Sequence, residues 1–401
     1  MPETTEPNVG SFTLGGPLTA EPARAIQVPE HAEWTLPNGF AWVFPGEGNR
    51  SGLVRPVIMA DGFNLGRSKL DALYHGLENG YPFISELRRR GRDVILLGFN
   101  ERSASILDNA QAAEAAIMRA RSEQLSDARL VVGGFSMGGI VTRYALAKLE
   151  MQRMDHRTAL YFSYDSPHRG ASIPVGVQAF SHFIPFPNDF AKQMNSPAAR
   201  QMLWRHYDKD TGKIGIAPER SEFLAALDRV GRWPQIPMTI GVANGRADGV
   251  GLPDVKPGEV ALRIDRIYPG TTFYTQAQGD DVTAAYLNRR LPKAEKTITT
   301  SGFPEVDGVP GGTLHTYKIL AETMEKLGGK ADLRHEDVCF VPSVSAVAIR
   351  DIEKQDDLYA DINALEPQES ELNDFLCSST TTAHTAITEE LCTWLIERLV
   401  D

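Results

Sequence analysis

Apolar residues along this chain gather in short unbroken runs, separated by stretches whose apolar positions recur with helical spacing. "RPVIMA", "DVILLGF", "RLVVGGF", "ALYFSY" and "QIPMTIGVA" are five such runs, each of strand length and rich in β-branched or aromatic residues. Between the first three lie "YPFISELRRRG" and "SILDNAQAAEAAIMRARSEQL", which read as helices. After the third, Ile140, Val141, Tyr144, Ala145 and Leu149 fall on one helical face. Strands that are apolar throughout, alternating with helices, predict a mostly parallel sheet covered on both faces.

Outside that alternation the pattern loosens. Residues 1–35 are polar and predict an irregular leader, and "GFAWVFP" then reads as a first strand, so a leader unit is expected over 1–45 and the main domain over 46–401. Residues 170–235 hold an aromatic-rich insertion. Residues 255–330 contain the β-like runs "EVALRIDRIY" and "TTFYTQAQ", a Gly/Pro-rich loop and a helix in "HTYKILAETMEKLG". "VCFVPSV" is expected as a further strand of the main sheet, and "HTAITEELCTWLIERLVD" as a closing amphipathic helix.

Composition removes several function classes. With 41 basic against 52 acidic residues the net charge is −11, which repels a phosphate backbone, so no nucleic-acid partner is expected. The densest basic stretch, "ELRRRGR", reads as a solvated helix end. Three scattered cysteines, Cys339, Cys377 and Cys392, fit neither a disulfide framework nor a thiolate zinc site. No window approaches the roughly 18 apolar residues of a membrane span, so no integral membrane segment is expected. The opening "MPETTEPNVGSFTLGG" has no basic and no apolar segment of the kind a secretory signal carries, and does not read as one. A cytoplasmic protein is the default expectation, with secretion left open; the oligomeric state is left open as well.

The chemistry concentrates in "GGFSMGG". Gly134, Ser136 and Gly138 satisfy G-x-S-x-G, directly after a strand and at the start of a helix. A serine there sits on a strained turn that lifts its Oγ above the sheet, and small neighbours let the flanking backbones approach. The free N–H groups of the helix start face the same spot and favour a developing negative charge.

This stretch resembles the nucleophile elbow of the α/β-hydrolase superfamily, and "SMGG" is similar to its lipases and esterases. The resemblance implies an α/β-hydrolase fold: a mostly parallel sheet with helices on both faces, a helical cap or lid over 170–235, and a small β-rich insertion over 255–330. It implies an acyl-enzyme mechanism with Ser, acid and His in that chain order and no metal or organic cofactor. "PVIMADGFNLG" resembles the oxyanion loop after the third strand, with Asp61 where His is usual; the Phe63 and Met137 amides would then hold the oxyanion. Asp61 is expected to turn aside and bond loop amides. His384, before the last helix, matches the base, whereas His168 in "YDSPHRGA" matches a structural residue.

The acid stays ambiguous. Asp248, a few residues past "MTIGVA", occupies the usual family position; Asp165, ending the preceding strand, is the alternative, with Asp254 and Asp280 behind them. Phe180, Phe183 and Phe186 of the insertion are expected either to line an acyl pocket, making the substrate a hydrophobic ester or acyl compound, or to form the cap's own core. Carboxylic ester hydrolysis is the leading expectation. An acyltransferase or thioesterase using the same triad is one alternative, and an inactive hydrolase-fold binding protein is another.

Overall fold

The computed structural model describes residues 26–49 and 51–399. The expected leader falls mostly outside these residues. The main sheet has eight strands: β1 (Ala32–Leu36), β2 (Gly39–Phe44), β3 (Pro56–Ala60), β4 (Asp93–Phe99), β5 (Leu130–Phe135), β6 (Thr158–Tyr164), β7 (Met238–Ala243) and β8 (Asp374–Cys377). Their order across the sheet is β1-β2-β4-β3-β5-β6-β7-β8. β1 and β2 join antiparallel, and every pair from β4 to β8 is parallel.

Side-chain alternation splits the core into two layers. Ile58, Ala60, Ile95 and Leu97 pack on one face with helices α3 (Ile106–Glu123) and α4 (Met137–Met151). Val57, Met59, Val94 and Leu96 pack on the other with α1 (Leu70–Glu78), α2 (Phe83–Arg89) and the C-terminal helix Glu389–Glu397. Both faces are covered, which is why the central strands carry no polar alternation. Among the described residues no helix is long and apolar enough to cross a membrane.

Three expectations need correction. The sheet begins at Ala32–Leu36, one strand earlier than "GFAWVFP". "VCFVPSV" does not enter the main sheet: Val338–Pro342 pairs antiparallel with Gly311–Leu314 in a separate two-stranded ribbon. The eighth place belongs to "DFLC", a four-residue edge strand that opens on a charged residue and so shows no apolar run.

Residues 170–235 form short helices, Val175–Phe183, Asp189–Met194, Pro197–Met202 and Pro218–Arg229. Residues 255–330 contribute four strands, Val260–Asp265, Thr271–Tyr274, Val282–Arg289 and Ala294–Thr300, to an antiparallel sheet that Lys330–Leu333 completes at its edge. The last two of the four, a hairpin, lie in the stretch expected as loop. The ribbon then returns the chain to the C-terminal edge of the main sheet, where the candidate site lies.

Candidate active site

β5 passes into α4 through Ser136 alone, at φ 52° and ψ −123°. A positive φ is costly for any residue with a side chain and persists only where its surroundings impose it. Those surroundings are tight. A Cβ on Gly134 would lie 2.4 Å from the Gly138 carbonyl carbon, and one on Gly138 would lie 2.2 Å from the Ala60 oxygen. Glycine at both positions is what lets strand, turn and helix meet around the hydroxyl.

His384 lies between β8 and the C-terminal helix. Its backbone N–H donates to Thr313 O (2.8 Å), and its ring meets Phe340 edge-on at 4.8 Å; both partners lie on the ribbon. Its Nε2 is 2.8 Å from Ser136 Oγ, and its Nδ1 is 2.7 Å from Asp165 Oδ2. A carboxylate only accepts, so Nδ1 carries the hydrogen and Nε2 accepts from the serine hydroxyl. Ser136 and His384 are buried and Asp165 is fully enclosed.

Asp165 follows β6 at φ 48°. Its other oxygen, Oδ1, accepts from the Asn244 N–H (3.0 Å). The sequence reading favoured Asp248 at this place, and the structure puts it elsewhere. The Asp248 carboxylate accepts from the Arg246 guanidinium and from Val250 N, and that guanidinium holds its carboxyl below the usual range. The loop after β7 docks instead on residues 359–362: Ile362 N donates to Ala247 O, and Gly249 packs on the Tyr359 carbonyl. This packing keeps Asp248 off the imidazole.

The loop after β3 flanks the serine. A Cβ on Gly62 would sit 3.4 Å from Ser136 Cβ. The amides of Phe63 and Met137 donate no hydrogen bond among the described residues, and Met137 is the first residue of its helix, where no intrahelical acceptor exists. Asp61 is occupied within its own loop: it accepts from Gly62 N (2.7 Å) and Ser68 Oγ (2.6 Å), with Arg102 Nη1 at 3.9 Å. Burial pushes its carboxyl up, and Arg102, Ser68 and Gly62 oppose that shift. His168 is buried, bonded to Ser163 Oγ at 2.9 Å and facing Arg143.

A narrow apolar slot opens beside Phe63, walled by Ile173, Met194, Met202, Leu314 and Phe340. Phe180, Phe183 and Phe186 do not line it. Phe180 is fully buried against Tyr268 (5.0 Å) and Phe273 (5.5 Å) of the β-rich insertion, and Phe183 also meets Tyr268. Phe186 is 43% exposed on the outer surface. The aromatic stripe is the seam between the two insertions, so Phe180 and Phe183 neither line the slot nor form a core belonging to the cap alone. Asn244, Gly312, Leu314 and Phe340 went unnoticed in the sequence, because each comes to the site from a segment with no motif of its own.

No family model matches the chain, and no curated protein matches it in sequence. Solved structures similar to it include an esterase/lipase from an uncultured bacterium, with 13% identity, TM-score 0.30, and 37% of this chain and 48% of that one covered. They also include the hyperthermophilic esterase of the archaeon Pyrobaculum calidifontis, with 14% identity, TM-score 0.34, and 56% and 67% covered. A third is the mature lipase of Bacillus licheniformis, with 12% identity, TM-score 0.32, and 51% and 72% covered. The chain thus spans about half the length of the first of these.

Proposed function

We propose that this chain is a serine hydrolase of the α/β-hydrolase type that cleaves carboxylic esters with a hydrophobic acyl part. The observation carrying this reading is the continuous pair of contacts Ser136 Oγ–His384 Nε2 (2.8 Å) and His384 Nδ1–Asp165 Oδ2 (2.7 Å), buried at the end of a strained strand-to-helix turn. A serine in an ordinary helix cap is not held at positive φ against an imidazole backed by a buried carboxylate.

The chemistry follows from the atoms. Ser136 Oγ attacks the ester carbonyl carbon while His384 Nε2 takes its proton. The carbonyl oxygen becomes an alkoxide between the Phe63 and Met137 N–H groups; one such donor is typically worth about 3–4 kcal/mol in the transition state. Asp165 keeps the imidazole in the attacking tautomer and stabilises the imidazolium. The C–O bond to the leaving alcohol breaks as the imidazolium protonates that oxygen. Water, deprotonated by His384, then releases the acid from Ser136. A short acyl portion fits the slot beside Phe63, which holds about 30 Å³ and whose walls offer no hydrogen-bonding side chain.

Labelling with a fluorophosphonate probe tests the reading. Covalent modification is expected in the native protein and absent in Ser136→Ala. Failure of the native protein to react at all would overturn the proposal in favour of a hydrolase-fold binding protein.

A further inference from the structure

Asn244 takes no part in the chemistry above, yet it bonds to Asp165 and to the chain on either side of His384. It directly follows β7 and is fully buried. Its backbone N–H donates to Asp165 Oδ1 (3.0 Å). Its side-chain amide nitrogen donates to Thr382 Oγ1 (2.8 Å) and to the Ala386 carbonyl (2.9 Å). Those residues stand two positions before and two after His384. The Asn244 carbonyl in turn accepts from Thr382 N (3.0 Å) and Thr382 Oγ1 (3.2 Å).

The geometry points to Asn244 as a positioning residue that clamps the segment 382–386 at both ends and registers His384 on the Asp165 carboxylate. The inference rests on the proposed hydrolase reading, in which that register sets the base. A carbonyl can only accept, so the bond to Ala386 dictates that the amide nitrogen faces the clamp. Ala386 O receives a second donor, Tyr164 OH at 2.7 Å, which leaves no lone pair free to draw the segment elsewhere. Asn244 Oδ1 is buried without a partner, a cost the fold carries while the nitrogen makes its two bonds.

The residue type is informative. Aspartate would fill the same space, but its oxygens would oppose the Ala386 carbonyl and set a second negative charge beside Asp165. Alanine would keep the backbone bond to Asp165 and lose both side-chain bonds to the histidine segment. The histidine segment would then be held by the backbone bonds from Thr382 N to residue 244 O and from His384 N to Thr313 O, and by Tyr164, with no side chain spanning it from both ends.

The test compares Asn244→Ala and Thr382→Val with the native chain and with Ser136→Ala, using a soluble p-nitrophenyl ester. Asn244→Ala is expected to lower kcat on the order of 10- to 100-fold with KM within about twofold, because interactions that align the base act in the transition state rather than in substrate binding. Thr382→Val removes both contacts of Thr382 Oγ1 with Asn244 but leaves the side-chain bond to Ala386, and is expected to lower kcat by less. The double variant is expected to be no slower than Asn244→Ala, since the two groups act as one unit. The downfield proton resonance of an imidazole N–H held on a carboxylate should broaden or vanish in Asn244→Ala and persist in Ser136→Ala. Should Asn244→Ala fail to fold, Thr382→Val and the resonance decide the matter. An active Ser136→Ala would sink the hydrolase reading itself. An inactive Ser136→Ala beside an Asn244→Ala and a Thr382→Val that both keep native kcat and resonance would overturn the clamp alone.

Discussion

Gly312 lies so close to Asp165 that a Cβ at this position would sit 2.0 Å from the carboxylate oxygen Oδ2, the oxygen that faces His384. The gap left by a missing side chain on the ribbon is thus where the Asp165 carboxylate reaches the His384 imidazole. Gly312→Ala is expected to displace the carboxylate, lower kcat at least tenfold and reduce stability by about 1–3 kcal/mol. Rates of phosphonate labelling together with urea unfolding would check both. A variant with native labelling rate would mean the carboxylate moves without consequence.

The two candidate acids separate cleanly by substitution. Asp165→Asn leaves the imidazole without a carboxylate and is expected to lower kcat by about 10³–10⁴. Asp248→Asn removes a half-exposed partner of Arg246 and is expected to keep activity within about twofold, as surface changes away from special features usually do. Steady-state hydrolysis of a p-nitrophenyl ester distinguishes them, and the reverse ranking would return the acid to the loop after β7.

Acyl-chain preference should follow the slot rather than the aromatic seam. Met202→Ala widens the slot beside Phe63, which holds about 30 Å³, and is expected to shift preference from acetate toward octanoate. Phe180→Ala opens a cavity between the insertions and is expected to cost about 3–5 kcal/mol of stability while leaving the chain-length profile unchanged. A p-nitrophenyl ester series on both variants reads the difference, and a profile altered only by Phe180→Ala would reverse the assignment.

Asp307 makes stability depend on pH. It is fully buried, Oδ2 accepts from Gln276 N (2.8 Å), Oδ1 has no partner, and burial pushes its carboxyl up to about 6 from an ordinary 3.8. Between those values the folded state holds a proton that the unfolded state has released, so its contribution is unfavourable once ionised. Stability falls as pH rises through this window, by an amount on the order of 3 kcal/mol. Asp307→Asn is expected to be the more stable protein at pH 7.5 and to lose most of that advantage near pH 4. Urea unfolding of both at several pH values checks it; a stability difference that does not vary with pH would count against the account.

The elbow was legible because its requirements are local: an apolar run, small residues at fixed offsets and a helical face all lie within "RLVVGGFSMGGIVTRYAL". The central parallel strands were legible for the same reason, since burial on both faces writes itself as unbroken apolar runs. The acid was not. Asp165 and Asp248 both follow strands, and what separates them is Gly312 and Asn244, which reach the site from other segments. "DFLC" escaped notice because an edge strand needs little apolar pattern, and Phe180 was misplaced because periodicity reports that a side chain is buried without saying against what.

The ribbon Gly311–Leu314 has a consequence for anyone who would trim this protein to a minimal catalyst. The segment from 255 to 330 looks like an appendage when the main sheet is traced alone, yet it delivers the acceptor for the His384 amide, the clearance for Asp165 and one wall of the slot beside Phe63. Excising it, or exchanging it for another segment, would disassemble the candidate site even if the eight strands survived. Engineering of substrate range therefore has to work around residues 311–314 as fixed ground and confine its diversity to the helices that roof the slot.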